Sequence, residues 1–112
     1  MSRDYRLFLD DIRDSCAKVL RYTAGMNFEQ FVDEEQVFDA VVRNLGIIGE
    51  ATKHVPNEIR NLYPQVDWKK ISGLRDVVVH GYFGIDEEIL WDIIQNHVPE
   101  LLEQVTQILG ND

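Results

Sequence analysis

Apolar residues recur along this chain every three or four positions, the spacing of a helix face, and no stretch alternates apolar and polar in the manner of a strand. Tyr5, Phe8, Leu9, Ile12, Cys16, Val19 and Leu20 predict an amphipathic helix over residues 3–23, stopped at Gly25. Asn27 with Gln30, and Asp33 with Gln36, each have the spacing of a capping box. The first suits a short helical turn and the second the start of a long helix. That long helix buries Val37, Val41, Leu45, Ile48, Ala51 and Val55 and ends at Pro56. A short helix over 56–63 follows, closed by Pro64. Asp67 caps a segment burying Trp68, Ile71, Leu74 and Val78, expected to run to Val79 or His80, with Gly81 and Gly84 bracketing a break. Asp86 caps the last helix, whose apolar face is Leu90, Ile93, Ile94, Leu101, Val105 and Ile108. Pro99 lies inside it and predicts a kink, because proline removes a backbone donor and its ring clashes with the preceding turn. Four substantial helices with short connections predict an all-α antiparallel bundle of four to five helices.

At 112 residues the chain is expected to form one domain, 1–112, able to bury a core without disulfides or a structural metal. Cys16 is the only cysteine, which rules out an internal disulfide or a cysteine metal cage and leaves it as a core residue. Met1-Ser2-Arg3-Asp4 is polar and charged, unlike a secretory leader. The longest purely aliphatic run, Val77-Val78-Val79, is far shorter than the ~20 residues of a membrane span. A cytoplasmic protein without membrane contact is expected.

The net charge of −9 argues against a general nucleic-acid binder. Its distribution is uneven. Residues 1–42 carry −4 and residues 83–112 carry −7, whereas residues 43–82 carry +2 and hold His54 and His80. The one cationic stretch contains Arg75-Asp-Val-Val-Val-His80-Gly-Tyr82.

That segment has the residue types for work on a phosphate. Arginine offers a fixed fork of donors matched to phosphate oxygens, histidine moves protons near neutral pH, and tyrosine adds a modifiable hydroxyl. Arg75 lies opposite the stripe Trp68-Ile71-Leu74-Val78, so it should be at the surface. Five residues of helix rotate ~140°, so Arg75 and His80 converge only if the helix ends near His80, as Gly81 permits. The structural alternatives are a surface ion pair for Arg75 and a helix-terminal histidine for His80. Glu50 and His54, one turn apart, are either half a metal site or an ordinary helical pair; no third ligand stands nearby in sequence. Asn44 is either a buried hydrogen-bonding group at an interface or simply exposed, and His97 reads as surface.

Taken in order, Arg43-Asn44-Leu-Gly-Ile-Ile-Gly-Glu50-Ala51, Pro56-Asn-Glu58, Asp67-Trp68-Lys-Lys-Ile71-Ser-Gly-Leu-Arg75, His80-Gly-Tyr82 and Val98-Pro99-Glu-Leu101 resemble the HepT-like group of HEPN-domain proteins over essentially the whole chain. Arg-x4-His-x-Tyr is that group's hallmark, and Ile-Gly-Glu-Ala is characteristic of it. Asp76 departs from the pattern, standing where many HEPN proteins have asparagine and adding a negative charge beside the phosphate site.

The resemblance implies an all-α, homodimeric bundle and a metal-independent endoribonuclease toxin. It makes Arg75 and His80 the catalytic residues, in a cleft lined by both protomers. It also implies a partner antitoxin, a minimal nucleotidyltransferase that adds AMP to the motif tyrosine, here Tyr82. Asp76, Glu50 and Asn44 are candidate supporting residues, and neither cofactor nor metal is expected. The competing reading is a non-catalytic module that binds a nucleotide or docks with, and is modified by, a nucleotidyltransferase. Overall acidity and Asp76 favour it, while the intact Arg75 and His80 favour the nuclease. A purely structural dimer would leave the cationic centre without a purpose.

Overall fold

A computed structural model describes residues 4–76 and 86–111. These residues form an all-α bundle: α1 (Tyr5–Thr23), α2 (Phe28–Asp33), α3 (Glu35–Lys53), α4 (Asn57–Leu62), α5 (Trp68–Ser72), α6 (Glu87–Asp92), a π turn over Ile93–His97, and α7 (Val98–Gly110). The longest helices build the core. α1 packs along α3 and α7, and α5 lies against α3.

The apolar faces read from the sequence meet in this core. Leu9, Ile12, Cys16 and Val19 of α1, Val41, Leu45 and Ile48 of α3, and Ile94, Val105 and Ile108 are all buried. Burial without a charged partner pushes the Cys16 thiol up from its ordinary 9.0 to about 12. Sequence reading missed Phe31. It is fully buried and forms the hub of an aromatic cluster, 5.2 Å from Trp91 and 5.4 Å from Phe38 between ring centres. That cluster docks the six-residue α2, too short to be stable alone, against α3 and α6.

Helix ends follow local chemistry. Asp4 accepts from the Arg6 amide, and Gly25 takes a φ of +77°, a left-handed conformation that ends α1 at little cost. The Asn27–Gln30 capping box forms with both hydrogen bonds, 2.8 and 2.9 Å. Asp67 accepts from the Lys70 amide, and Asp86 from those of Glu88 and Ile89. The second expected box does not form. Asp33 is the last residue of α2, so it cannot adopt the extended cap conformation. Glu34 instead joins the two helices, with no side-chain cap on α3. At the other end of α3, Arg60 donates through Nε to the Val55 carbonyl at 3.0 Å and through a terminal nitrogen to that of Thr52 at 2.7 Å, closing the helix from outside it.

Two further differences bear on the site. The helix expected to run unbroken from Trp68 is interrupted at Gly73, after which residues 74–76 are helical again. The Ser72 hydroxyl donates to the Trp68 carbonyl at 2.9 Å, a bond that competes with the helix ladder, and glycine adds its low helix propensity. In the last helix the irregularity precedes Pro99. The Val98 amide reaches back five residues to the Ile93 carbonyl, and the widened π turn makes room for a proline ring one residue later.

Candidate functional site

α3 is built so that one face enters the core and another looks outward at residues 74–76. Ile48, Ala51 and Thr52 are buried, and the Thr52 hydroxyl is satisfied by the Ile48 carbonyl at 2.7 Å. Glu50, Lys53 and His54 fall on the outer side, spaced three and four residues apart.

Between these faces lies Gly49, the closest point of approach. A Cβ placed on Gly49 would stand 2.5 Å from the Arg75 backbone nitrogen and 3.1 Å from the Arg75 Cβ. No side chain fits there. The absence of one at position 49 is what allows the Arg75 backbone to lie directly on α3, with the next residue of α3, Glu50, beside it.

The consequence is an ion pair across 25 residues of sequence: Arg75 Nε lies 2.7 Å from Glu50 Oε2. Both side chains are about half exposed, so the pair by itself adds little to stability. A guanidinium carries five N–H donors, so one carboxylate oxygen leaves donors for another anion. The second Glu50 oxygen lies 3.5 Å from His54 Nε2. The His54 ring stacks on Phe8 of α1, with centroids 4.8 Å apart and planes 15° from parallel. Asp76 faces Lys53, Oδ1 to Nζ at 3.7 Å, so the charge that this position adds is opposed by a cation from α3.

Arg75 is therefore exposed, as its position opposite the apolar stripe predicted, and Glu50 and Asp76 lie beside it or beside its neighbour. Asn44 does not join them. It is buried, donates from Nδ2 to the Ala40 carbonyl at 2.8 Å, and sits on the core side of α3 with Ile48 and Ala51. His97 is on the surface beside Asp92, Nε2 to Oδ2 at 3.5 Å. His80 and Tyr82 lie outside the described residues. Among the described residues no group of three or more His, Cys, Asp or Glu is placed to hold a metal ion. No helix among them is long and apolar enough to cross a membrane.

A cavity of about 130 Å³ lies elsewhere, between α3, α5 and α7, with Ile48, Ile71, Leu74, Val98 and Leu101 among its walls. Its lining surface is mainly apolar, with Lys70 and His97 also among the lining residues, and it contains neither Arg75 nor Glu50, so it is separate from the Arg75 site. Sequence reading gave no role of their own to Lys53 or to Gly49, the glycine of the Ile-Gly-Glu-Ala element. Gly49 had a signal, a glycine inside a helical apolar pattern, which costs helix stability unless close packing requires it.

The family model described as Ribonuclease HepT-like matches residues 12–108. Among curated proteins, the chain is similar to "Putative RNase MJ0127" of Methanocaldococcus jannaschii, 41% identical over 107 residues, covering 96% of this chain and 88% of that protein. It is equally similar to "Putative RNase TTE0752" of Caldanaerobacter subterraneus subsp. tengcongensis, 41% identical with 96% of each chain covered. "Probable ribonuclease HepT" of Thermococcus cleftensis is 35% identical over 90% of this chain and 92% of its own. No solved structure gives a significant match.

Proposed function

Since this chain belongs to the Ribonuclease HepT-like family, we propose that it is a metal-independent endoribonuclease, the toxin of a toxin–antitoxin pair, acting in the cytoplasm as a homodimer of a single helical domain. The observation that carries the reading is Arg75: exposed, its backbone pressed against α3 at Gly49, and paired with Glu50 through Nε with donors to spare. It opens the Arg-x4-His-x-Tyr motif that ends in His80 and Tyr82.

Cleavage without a metal needs three things: a base for the ribose 2′-hydroxyl, a cation for the charge building on phosphorus, and an acid for the departing 5′ oxygen. His80 takes the 2′-hydroxyl proton, and the partner's His80, across a two-fold axis, protonates the leaving oxygen. Arg75 stabilises the phosphorane. The oxygen freed of its proton attacks phosphorus, the P–O5′ bond breaks, and the products are a 2′,3′-cyclic phosphate and a 5′-hydroxyl. Because the nucleophile is the 2′-hydroxyl, RNA is a substrate and DNA is not.

Tyr82 is the control point, receiving AMP from a minimal nucleotidyltransferase antitoxin. Each added phosphate brings negative charge toward Arg75 and fills space that an RNA phosphate needs. The net charge of −9 favours a second reading, a non-catalytic module that docks with and is modified by that enzyme.

One experiment separates the two. Purified protein incubated with RNA in EDTA should produce 2′,3′-cyclic ends, a 2′-deoxy substrate should be inert, and Arg75→Ala and His80→Ala should each lose ~100-fold or more in rate. Equal cleavage of the 2′-deoxy substrate refutes the mechanism. No cleavage of any RNA by the wild-type dimer favours the docking module.

A further inference from the structure

Glu50 and His54 stand one helical turn apart, and the cleavage chemistry above leaves the histidine unused. Glu50 divides its carboxylate, Oε2 toward Arg75 at 2.7 Å and Oε1 toward His54 Nε2 at 3.5 Å. Three parts of the chain meet in this line: Phe8 from α1, Glu50 and His54 from α3, and Arg75 beyond α5.

A half-exposed glutamate has several rotamers open to it, and holding one costs side-chain entropy. An ion pair with an equally exposed arginine does not by itself select a single geometry. A second partner on the other oxygen does, provided that the partner is itself held. His54 meets that condition, because its ring is stacked on Phe8 at 4.8 Å and nearly parallel. It also occupies the C-terminal end of α3, where the helix dipole favours a donor or a cation over an acceptor.

We infer that His54 is a positioning residue: fixed by Phe8, it holds the Glu50 carboxylate so that Glu50 in turn presents Arg75 to a phosphate. The arrangement parallels the outer-shell groups that orient the ligands of a metal, where losing the outer partner costs ~10–100-fold in activity while the inner groups remain. Its consequence for RNA cleavage rests on the nuclease reading, whereas the orientation of Arg75 does not.

The test therefore reads Arg75 directly. In 1H–15N spectra of the arginine Nε–H groups, the wild-type protein should show a slowly exchanging Arg75 signal, assigned by its loss in Arg75→Lys. His54→Phe keeps a ring to stack on Phe8 but has no donor for Glu50, and should accelerate exchange of that signal several-fold. His54→Gln places an amide nitrogen near the position of Nε2 and should restore slow exchange. Glu50→Ala, which removes the acceptor, should abolish it. In RNA cleavage, His54→Phe should lower kcat by ~10-fold with KM little changed, and His54→Gln should recover most of the loss.

An unprotected Arg75 signal in the wild type overturns the inference. So does a His54→Phe protein whose Arg75 exchange is unchanged, or a His54→Gln protein indistinguishable from His54→Phe. If the Arg75 signal responds as expected and no protein cleaves RNA, the positioning role stands and the nuclease reading falls.

Discussion

Gly49→Ala is the sharpest probe of how this chain assembles its site. The new methyl would stand 2.5 Å from the Arg75 backbone nitrogen, where ordinary contact begins near 3.4 Å, so something must move by roughly 0.9 Å. The obstructing atom belongs to the backbone and cannot rotate aside. Two effects oppose each other. Alanine in a helix interior is favoured over glycine by ~0.5–1 kcal/mol, while overpacking a tight contact costs ~1–3 kcal/mol. The second wins, and a net loss of about 1 kcal/mol lowers the melting temperature by ~4 °C or somewhat more for a domain near this size. On the proposed function, in which Arg75 meets the reacting phosphate, the functional effect should exceed the stability effect, because a shift of ~1 Å at such a group costs on the order of 100-fold in rate. Thermal melts followed by circular dichroism, paired with RNA cleavage, measure both. Gly110→Ala is the control: its methyl meets nothing within 4 Å, and stability should hold or rise slightly. If Gly49→Ala melts higher than wild type, as alanine does at an unobstructed helix site, the close approach of Arg75 to α3 is refuted.

Other outcomes follow from burial and capping. The Cys16 thiol binds its proton more tightly when folded, being pushed from 9.0 to about 12, so the stability that this provides is whole below pH 9 and drains away as pH rises toward 12. Three pH units correspond to roughly 4 kcal/mol, and Cys16→Ala should lose less stability than wild type between pH 9 and 11 in urea melts. Arg60→Ala removes the donors to the Thr52 and Val55 carbonyls and should cost about 1–2 kcal/mol in the same assay; an unchanged midpoint would show that water replaces them freely. Tyr82→Phe should stay folded and resist inactivation by a nucleotidyltransferase with ATP, and mass spectrometry finding AMP on another residue would refute Tyr82 as the control point.

The helices of this protein were legible in the sequence because a helix is a local object. The spacing of Leu9, Ile12, Cys16 and Val19, the capping geometry of Asn27, Asp67 and Asp86, and the stop at Gly25 each depend on residues within a turn or two of one another. Arg75 opposite an apolar stripe was likewise readable as exposed. Where two local signals competed, sequence alone could not choose. Asp33 has the right spacing to open α3, yet Phe31 buried against Trp91 draws residues 28–33 into a helix of their own and leaves Asp33 at its end. Glu50–Arg75 is beyond local reading altogether: the two are 25 positions apart, and nothing in either segment specifies the other. Only the docking of residues 74–76 onto α3 decides it. That docking turns on the missing side chain of Gly49, because the distance between two packed backbones is set by what stands between them. Local pattern is enough to say which residues can face outward and carry charge; packing sets which of them meet.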